Sequence, residues 1–498
     1  MKKAAFAVAV LIVVLVGGVF VGLPMAEKQA AFELRAELER SGEVKVGAVE
    51  VGLLGRRVVL SDLTIAGGPG ADFELIVAHL DVQGLAWPLA ELLHGRTPFF
   101  GFRWGDPLRA GRIEARGVRL VDRAVMTEWR AGSIVAEDVD LARFDGDVGG
   151  GDRGVELPAR ALAALTVRHL EQRDVSLAST VDGQTLSLGS VVAERFDRGL
   201  IANFSVGDFK VGAKGSPTAS LEAHEISAVG LDLRKPLDGL ASGARRLGQP
   251  LGRLWAERLV VAGVGGLALS RPYGISLERI TTEQKHESDT VVLSRTRIDG
   301  LVINPPSGST QATELRTALE SIGVGELKLA VDCGAREDRG AGVFKIENCA
   351  AISPGLVEIG FGMTIVDVDE NFWRALDEGD LGHVSTSKAA LGAAQLVIAD
   401  KSLLERILKG VAKNSGTPVM LLRPLAALQI RKYRPPDVLI TDELTKLLDT
   451  VARFVERGGT LTLTAHPEPP FAFSRVDYLL TPGPDLVSVF GLSATLSK

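Results

Sequence analysis

Six stretches of this chain carry one hydropathy pattern, and that pattern limits the fold more than any other feature. They are GRIEARGVRLVD (111–122), GSIVAEDVDLARF (132–144), LTVRHLEQRDVSLAS (165–179), ASLEAHEISAVGLDLRK (219–235), RLVVAGVGGLALS (258–270) and TVVLSRTRIDGLVIN (290–304). Each alternates apolar and polar residues, breaks at a charged residue or glycine, then alternates again. A period of two means strand, because successive side chains point to opposite faces. The stretches recur about every twenty to fifty residues, too irregularly for a strict solenoid code. They suggest one supersecondary unit, a β-hairpin, laid down repeatedly; a series of unrelated hairpins is the plainer alternative.

The same texture begins earlier. Residues 43–51 (EVKVGAVEV) and 57–65 (RVVLSDLTI) flank a turn at Leu53-Leu54-Gly55 and read as a hairpin, and residues 73–82 (FELIVAHLDV) supply another strand. The expected fold is mainly β: an elongated, curled antiparallel sheet or β-groove over residues 43–389. The last stretch, 390–498, changes character. It combines a strand at Ala394–Ile398, a helix opened by an S-x-x-E capping box at Ser402 and Glu405, a second helix capped by Thr441, and a strand at Thr460–Thr464. This is a C-terminal α+β segment.

The N-terminus sets a different constraint. Lys2 and Lys3 precede an uncharged apolar run from Ala4 to Leu23. Twenty residues rising about 1.5 Å each match the roughly 30 Å hydrocarbon core of a bilayer. Residues 1–26 therefore read as a single transmembrane anchor, with the paired lysines holding the N-terminus in the cytoplasm and the bulk of the chain exported. A cleaved signal peptide is the competing reading, but its apolar part is usually shorter. Residues 27–42 form a linker helix, with Ala31, Leu34 and Leu38 on one face.

Composition excludes more than it identifies. Net charge is −6, and no cluster of lysine or arginine marks a nucleic-acid site. The two cysteines, Cys333 and Cys349, flank a polar, glycine-rich stretch (334–342) between two β-runs. A hairpin would set them opposite each other as a disulfide candidate; two buried thiols that never meet are the alternative. A zinc site needs more ligands than this pair provides.

Catalytic signatures are missing. The seven histidines, His79, His94, His169, His224, His286, His383 and His466, show no metal-ligand spacing. No nucleophile elbow, phosphate loop or dinucleotide fingerprint occurs. Asp367, Asp369, Asn371 and Glu378 fall at calcium-loop positions, but Phe372 stands where that loop needs glycine. An acidic cap opening a short amphipathic helix fits better. No catalytic, cofactor-binding or metal-binding residue is assigned, and the chain is read as a non-enzyme.

The anchor, the linker helix, the run Val44, Val46, Val49, Val51, the turn, and then Val58-Val59-Leu60-Ser61-Asp62-Leu63-Thr64-Ile65 resemble the AsmA-like family of Gram-negative envelope proteins. The resemblance is strongest over residues 1–125 and diffuse to about 370. It implies an inner-membrane-anchored periplasmic protein whose β-groove carries lipid acyl chains, with phospholipid and other envelope proteins as partners and no cofactor. It names no lipid-contacting residue. A structural envelope scaffold without a lipid ligand is the alternative function.

Overall fold

The computed structural model describes residues 23–40, 42–66, 73–87, 105–123, 126–145, 153–179, 181, 183–213, 216–242, 254–310, 312–378, 384, 387–434, 439–475 and 485–497. Residues 4–22 of the expected anchor, and His94 and His383, lie outside them. Among the described residues no helix is long and apolar enough to cross a membrane. The chain is mainly β: the described residues form twenty strands in one antiparallel sheet that does not close. It divides into two compact units, Met1–Ser216 with Ser227–Gln249, and Pro217–Ile226 with Pro250–Lys498.

In the first unit a helix over residues 23–39, α1, buries Ala30 and Leu34. Its glutamates tie it to the first strands: Val46 N donates to Glu39 (3.2 Å) and Leu53 N to Glu27 (3.0 Å). The short strands β1 (Val44–Lys45) and β2 (Ala48–Gly52) both pair with β3 (Arg57–Ala66). Antiparallel neighbours then follow in chain order: β4 (Phe73–Gln83), β5 (Leu108–Asp122), β6 (Thr127–Leu141), β7 (Leu165–Ser179), β8 (Gln184–Asp197) and β9 (Leu200–Ala213). Helix α2 (Arg153–Ala164) joins β6 to β7. The strand β10 (Ser216–Asp232) crosses the division between units and leads into α3 (Arg234–Ala241), whose Ala241 carbonyl accepts from Arg160 of α2 (3.2 Å).

Five of the six recurring stretches each fall on one strand, not a hairpin, and the sixth is a strand over Arg258–Val264 followed by a helix over Leu267–Tyr273; the hairpins are made between neighbouring strands. The break in the pattern is a residue that turns left-handed without ending the strand. Its φ is positive at Gly117, Asp138, Asp174, Gly230, Gly263 and Gly300. The parity of the alternation shifts across such a residue, and at Gly300 the ladder changes register as well. Ile113 and Ala115 before Gly117, and Val118 and Leu120 after it, therefore share a face, opposite Val82, Leu80, Val77 and Leu75. Aspartate tolerates this conformation better than most residues because its side chain is short and polar. Opposite Asp174 the chain approaches so closely that a Cβ on Gly132 would lie 3.1 Å from the Asp174 Cβ.

The second unit continues with β11 (Arg258–Val264), α4 (Leu267–Tyr273), β12 (Ile275–His286), β13 (Val291–Ile303), α5 (Thr313–Ser321), β14 (Leu327–Asp338), β15 (Val343–Ser353), β16 (Val357–Val366) and α6 (Glu370–Glu378). Strands β14 and β15 run on through the stretch expected as a polar tip, so the turn is confined to 339–342. Cys333 and Cys349 face each other across this pair and form a disulfide. Next come β17 (Ala390–Asp400), α7 (Leu403–Ser415), α8 (Val419–Lys432), α9 (Asp442–Arg457), β18 (Thr460–Ala465), β19 (Phe471–Ala472), α10 (Leu486–Phe490) and β20 (Ser493–Ser497). β17 pairs with β16 along its length, so the ladder runs on past residue 389.

Two caps differ in outcome. Thr441 caps α9, accepting from Leu444 N (3.2 Å). Ser402 makes no cap to α7; its hydroxyl donates to the Gly355 carbonyl (2.6 Å), and Asp400 accepts from Leu404 N instead (3.0 Å). The hydroxyl is drawn to an acceptor on the turn between β15 and β16, and the nearby carboxylate takes the orphan donor.

Candidate functional site

The strand register sorts side chains into two unlike faces in each unit. Directly opposed residues share a face. In the first unit one row runs Val58, Val82, Ile113, Ala136, Leu170, Ala193, Phe204, and the next Leu60, Leu80, Ala115, Ile134, Gln172, Val191, Val206. Gln172 is the one polar member of both rows. The reverse face carries ion pairs between strands: Arg57 to Asp81 (2.8 Å), and Glu137 to both Arg112 and Arg168 (2.8 Å each). The Arg57 hydrogen bond holds the Asp81 carboxyl below the usual carboxylate range, against the opposing effect of burial.

The second unit repeats the division over more strands. One row crosses nine of them: Val261, Ile280, Ile298, Val331, Ala351, Ile359, Ile398, Leu461, Leu496. Every member is apolar, yet only Leu461 is buried. The reverse face is charged, with Arg295 bonded to Asp332 (2.7 Å) and Arg336 to Glu287 (2.6 Å).

Along β16 the apolar face is covered at both ends and open between them. At one end α6 packs Phe372 and Trp373 against Ile365, with Phe344 and Met363 around them. At the other, Leu319 of α5 packs with Val324 and Leu356 beside Leu327 and Val357. The two residues between keep substantial exposure, Ile359 at 38% and Phe361 at 37%, while Ile365 retains 4%. The disulfide lies on this open part, since Cys349 is opposite Phe361. Nine strands about 4.8 Å apart make the row roughly 38 Å long, against about 15 Å for the acyl layer of one leaflet. Such a surface offers dispersion and exclusion of water, and no directed bonds.

Little polar chemistry converges elsewhere. Among the described residues no three His, Cys, Asp or Glu side chains could hold a metal ion. Asp369 of the calcium-like pattern is occupied as a helix cap, accepting from Phe372 N (3.1 Å) and Lys388 N (3.2 Å). His169 pairs with Glu194 (2.7 Å), His286 stacks on Trp255, and His466 lies 3.3 Å from the Gly392 carbonyl. A pocket of about 410 Å³ in the first unit is lined by Arg109, Asp140, Thr166 and Arg198 among others, and the Thr166 hydroxyl donates to Asp197 (2.9 Å).

Sequence reasoning assigned no lipid-contacting residue. The strand alternation pointed to an apolar face, but which part stays uncovered depends on α5 and α6, which pack across distant strands. A family model described as an uncharacterized protein matches residues 353–496, so the chain is similar to that family from the end of β15 to β20. A comparison with curated proteins gives no match.

Proposed function

We propose that the uncovered apolar face binds lipid acyl chains, and that the protein is a membrane-anchored, periplasmic lipid-binding or lipid-transfer protein of AsmA-like type, with its sheet curled into a groove. The observation that carries this reading is the nine-strand row from Val261 to Leu496, apolar throughout and buried at one position only. Eight of the nine keep part of their surface in water, Ile359 most of all, and apolar area left uncovered over so many strands marks an interaction site. A hydrocarbon chain suits it, gaining about 0.8 kcal/mol per buried CH₂ without any hydrogen-bonding partner. Export agrees with Lys2, Lys3 and the apolar run that follows them, and with the paired cysteines.

Mass spectrometry of lipids extracted from the detergent-purified full chain tests this. Phospholipid should co-purify at one molecule or more per chain, and introducing Ile359→Asp with Phe361→Asp should deplete it. A chain that purifies free of lipid would favour a structural envelope scaffold.

A further inference from the structure

Helix α8 turns a hydrophobic stripe outward. Leu421, Leu425 and Leu428 follow i, i+4, i+7 spacing, so they share a side of the helix. They are 55%, 49% and 41% exposed, and Met420 beside them is 87% exposed. The opposite side is the one that packs: Ala427 is buried, and Arg423 reaches carbonyls at the end of α9. Lys432 falls four residues after Leu428, at the end of the same stripe. Lys413 in α7 and Arg434 just beyond α8 are also exposed, and none of these three cations has a carboxylate partner among the described residues. From Arg406 to Pro436 the sequence contains lysines and arginines but no aspartate or glutamate, in a chain whose net charge is −6.

We infer that α8 lies on an anionic lipid bilayer, its leucine stripe in the acyl boundary and Lys413, Lys432 and Arg434 at the headgroups. The pairing of exposed apolar residues with local positive charge selects this occupant. An apolar peptide groove would satisfy the leucines and leave the unpaired cations unanswered, whereas an acidic membrane surface answers both. The proposal concerns a helix surface and stands apart from acyl binding on the sheet.

The test uses the full chain in amphipol, with an environment-sensitive fluorophore on Leu425→Cys while Cys333 and Cys349 remain paired. Vesicles of phosphatidylcholine containing phosphatidylglycerol should shift the emission to the blue, and vesicles of phosphatidylcholine alone should do so far less. Lys413→Gln, Lys432→Gln and Arg434→Gln together should weaken binding to the anionic vesicles by roughly a hundredfold. High salt should do likewise. No shift with anionic vesicles overturns the proposal, as does equal binding to neutral vesicles. A shift without vesicles that grows with protein concentration would assign the stripe to a second copy of the chain and overturn it too.

Discussion

Two aspartate substitutions on the same face of the same strand should behave in opposite ways. Ile365 and Phe361 lie four residues apart on β16, the first under α6 and 4% exposed, the second 37% exposed. Ile365→Asp removes a packed aliphatic side chain, costing about 2–5 kcal/mol. It also places a carboxylate without a partner against Phe372 and Trp373, adding several kcal/mol more. The sum rivals a typical domain's whole stability of about 5–15 kcal/mol, so this variant should fail to fold. At Phe361 the new carboxylate reaches water, and only partial burial is lost, about 1–2 kcal/mol. Thermal unfolding of the delipidated full chain, followed by circular dichroism, should show Phe361→Asp melting within several degrees of the parent and Ile365→Asp without a cooperative transition. If Phe361→Asp collapses the fold as completely as Ile365→Asp, the face is a closed core and the reasoning fails.

Removing the disulfide with Cys333→Ala and Cys349→Ala frees a loop of sequence separation 16 and should cost about 3 kcal/mol in the chain-entropy model, read as a lower denaturant midpoint. Asp174→Gly should leave the melting temperature near that of the parent, whereas Asp174→Val forces a β-branched residue into a left-handed backbone (φ 53°) and should cost about 1–3 kcal/mol. Arginine hydrogen bonds hold Asp81, Glu114, Glu128, Asp232 and Asp332 below the usual carboxylate range. A depressed folded pKa stabilises above the unfolded value and is lost as pH falls through the folded one. Stability should therefore hold down to about pH 5 and fall below about pH 4, with Asp81→Asn reducing that acid dependence; a stability maximum below pH 4 would refute it.

Much of the fold was legible because a strand writes its two faces into a period of two. The breaks at Gly117, Asp174 and Gly300 were visible as well, but their meaning was not. A charged residue or glycine within an alternating run signals a turn as readily as a bulge, and only the ladder opposite distinguishes them. The cap at Ser402 was misjudged for a similar reason: the acceptor that diverts its hydroxyl, Gly355, is 47 residues away in sequence. Helix α8 escaped notice because Pro424 sits inside it and apolar residues fall on several of its sides, so no single stripe stands out in the sequence. The open part of the apolar face could not be located at all, since exposure at Ile359 and Phe361 is set by where α5 and α6 stop.

The most direct test of acyl binding exploits the strand's own alternation. A photoreactive phenylalanine analogue placed in turn at Glu358, Ile359, Gly360 and Phe361 of the full chain, irradiated in cells, reports which face meets lipid. Lipid adducts detected by mass spectrometry at 359 and 361, and absent at 358 and 360, are the result expected. Adducts at neither pair, or equally at both, would contradict a lipid-bearing face.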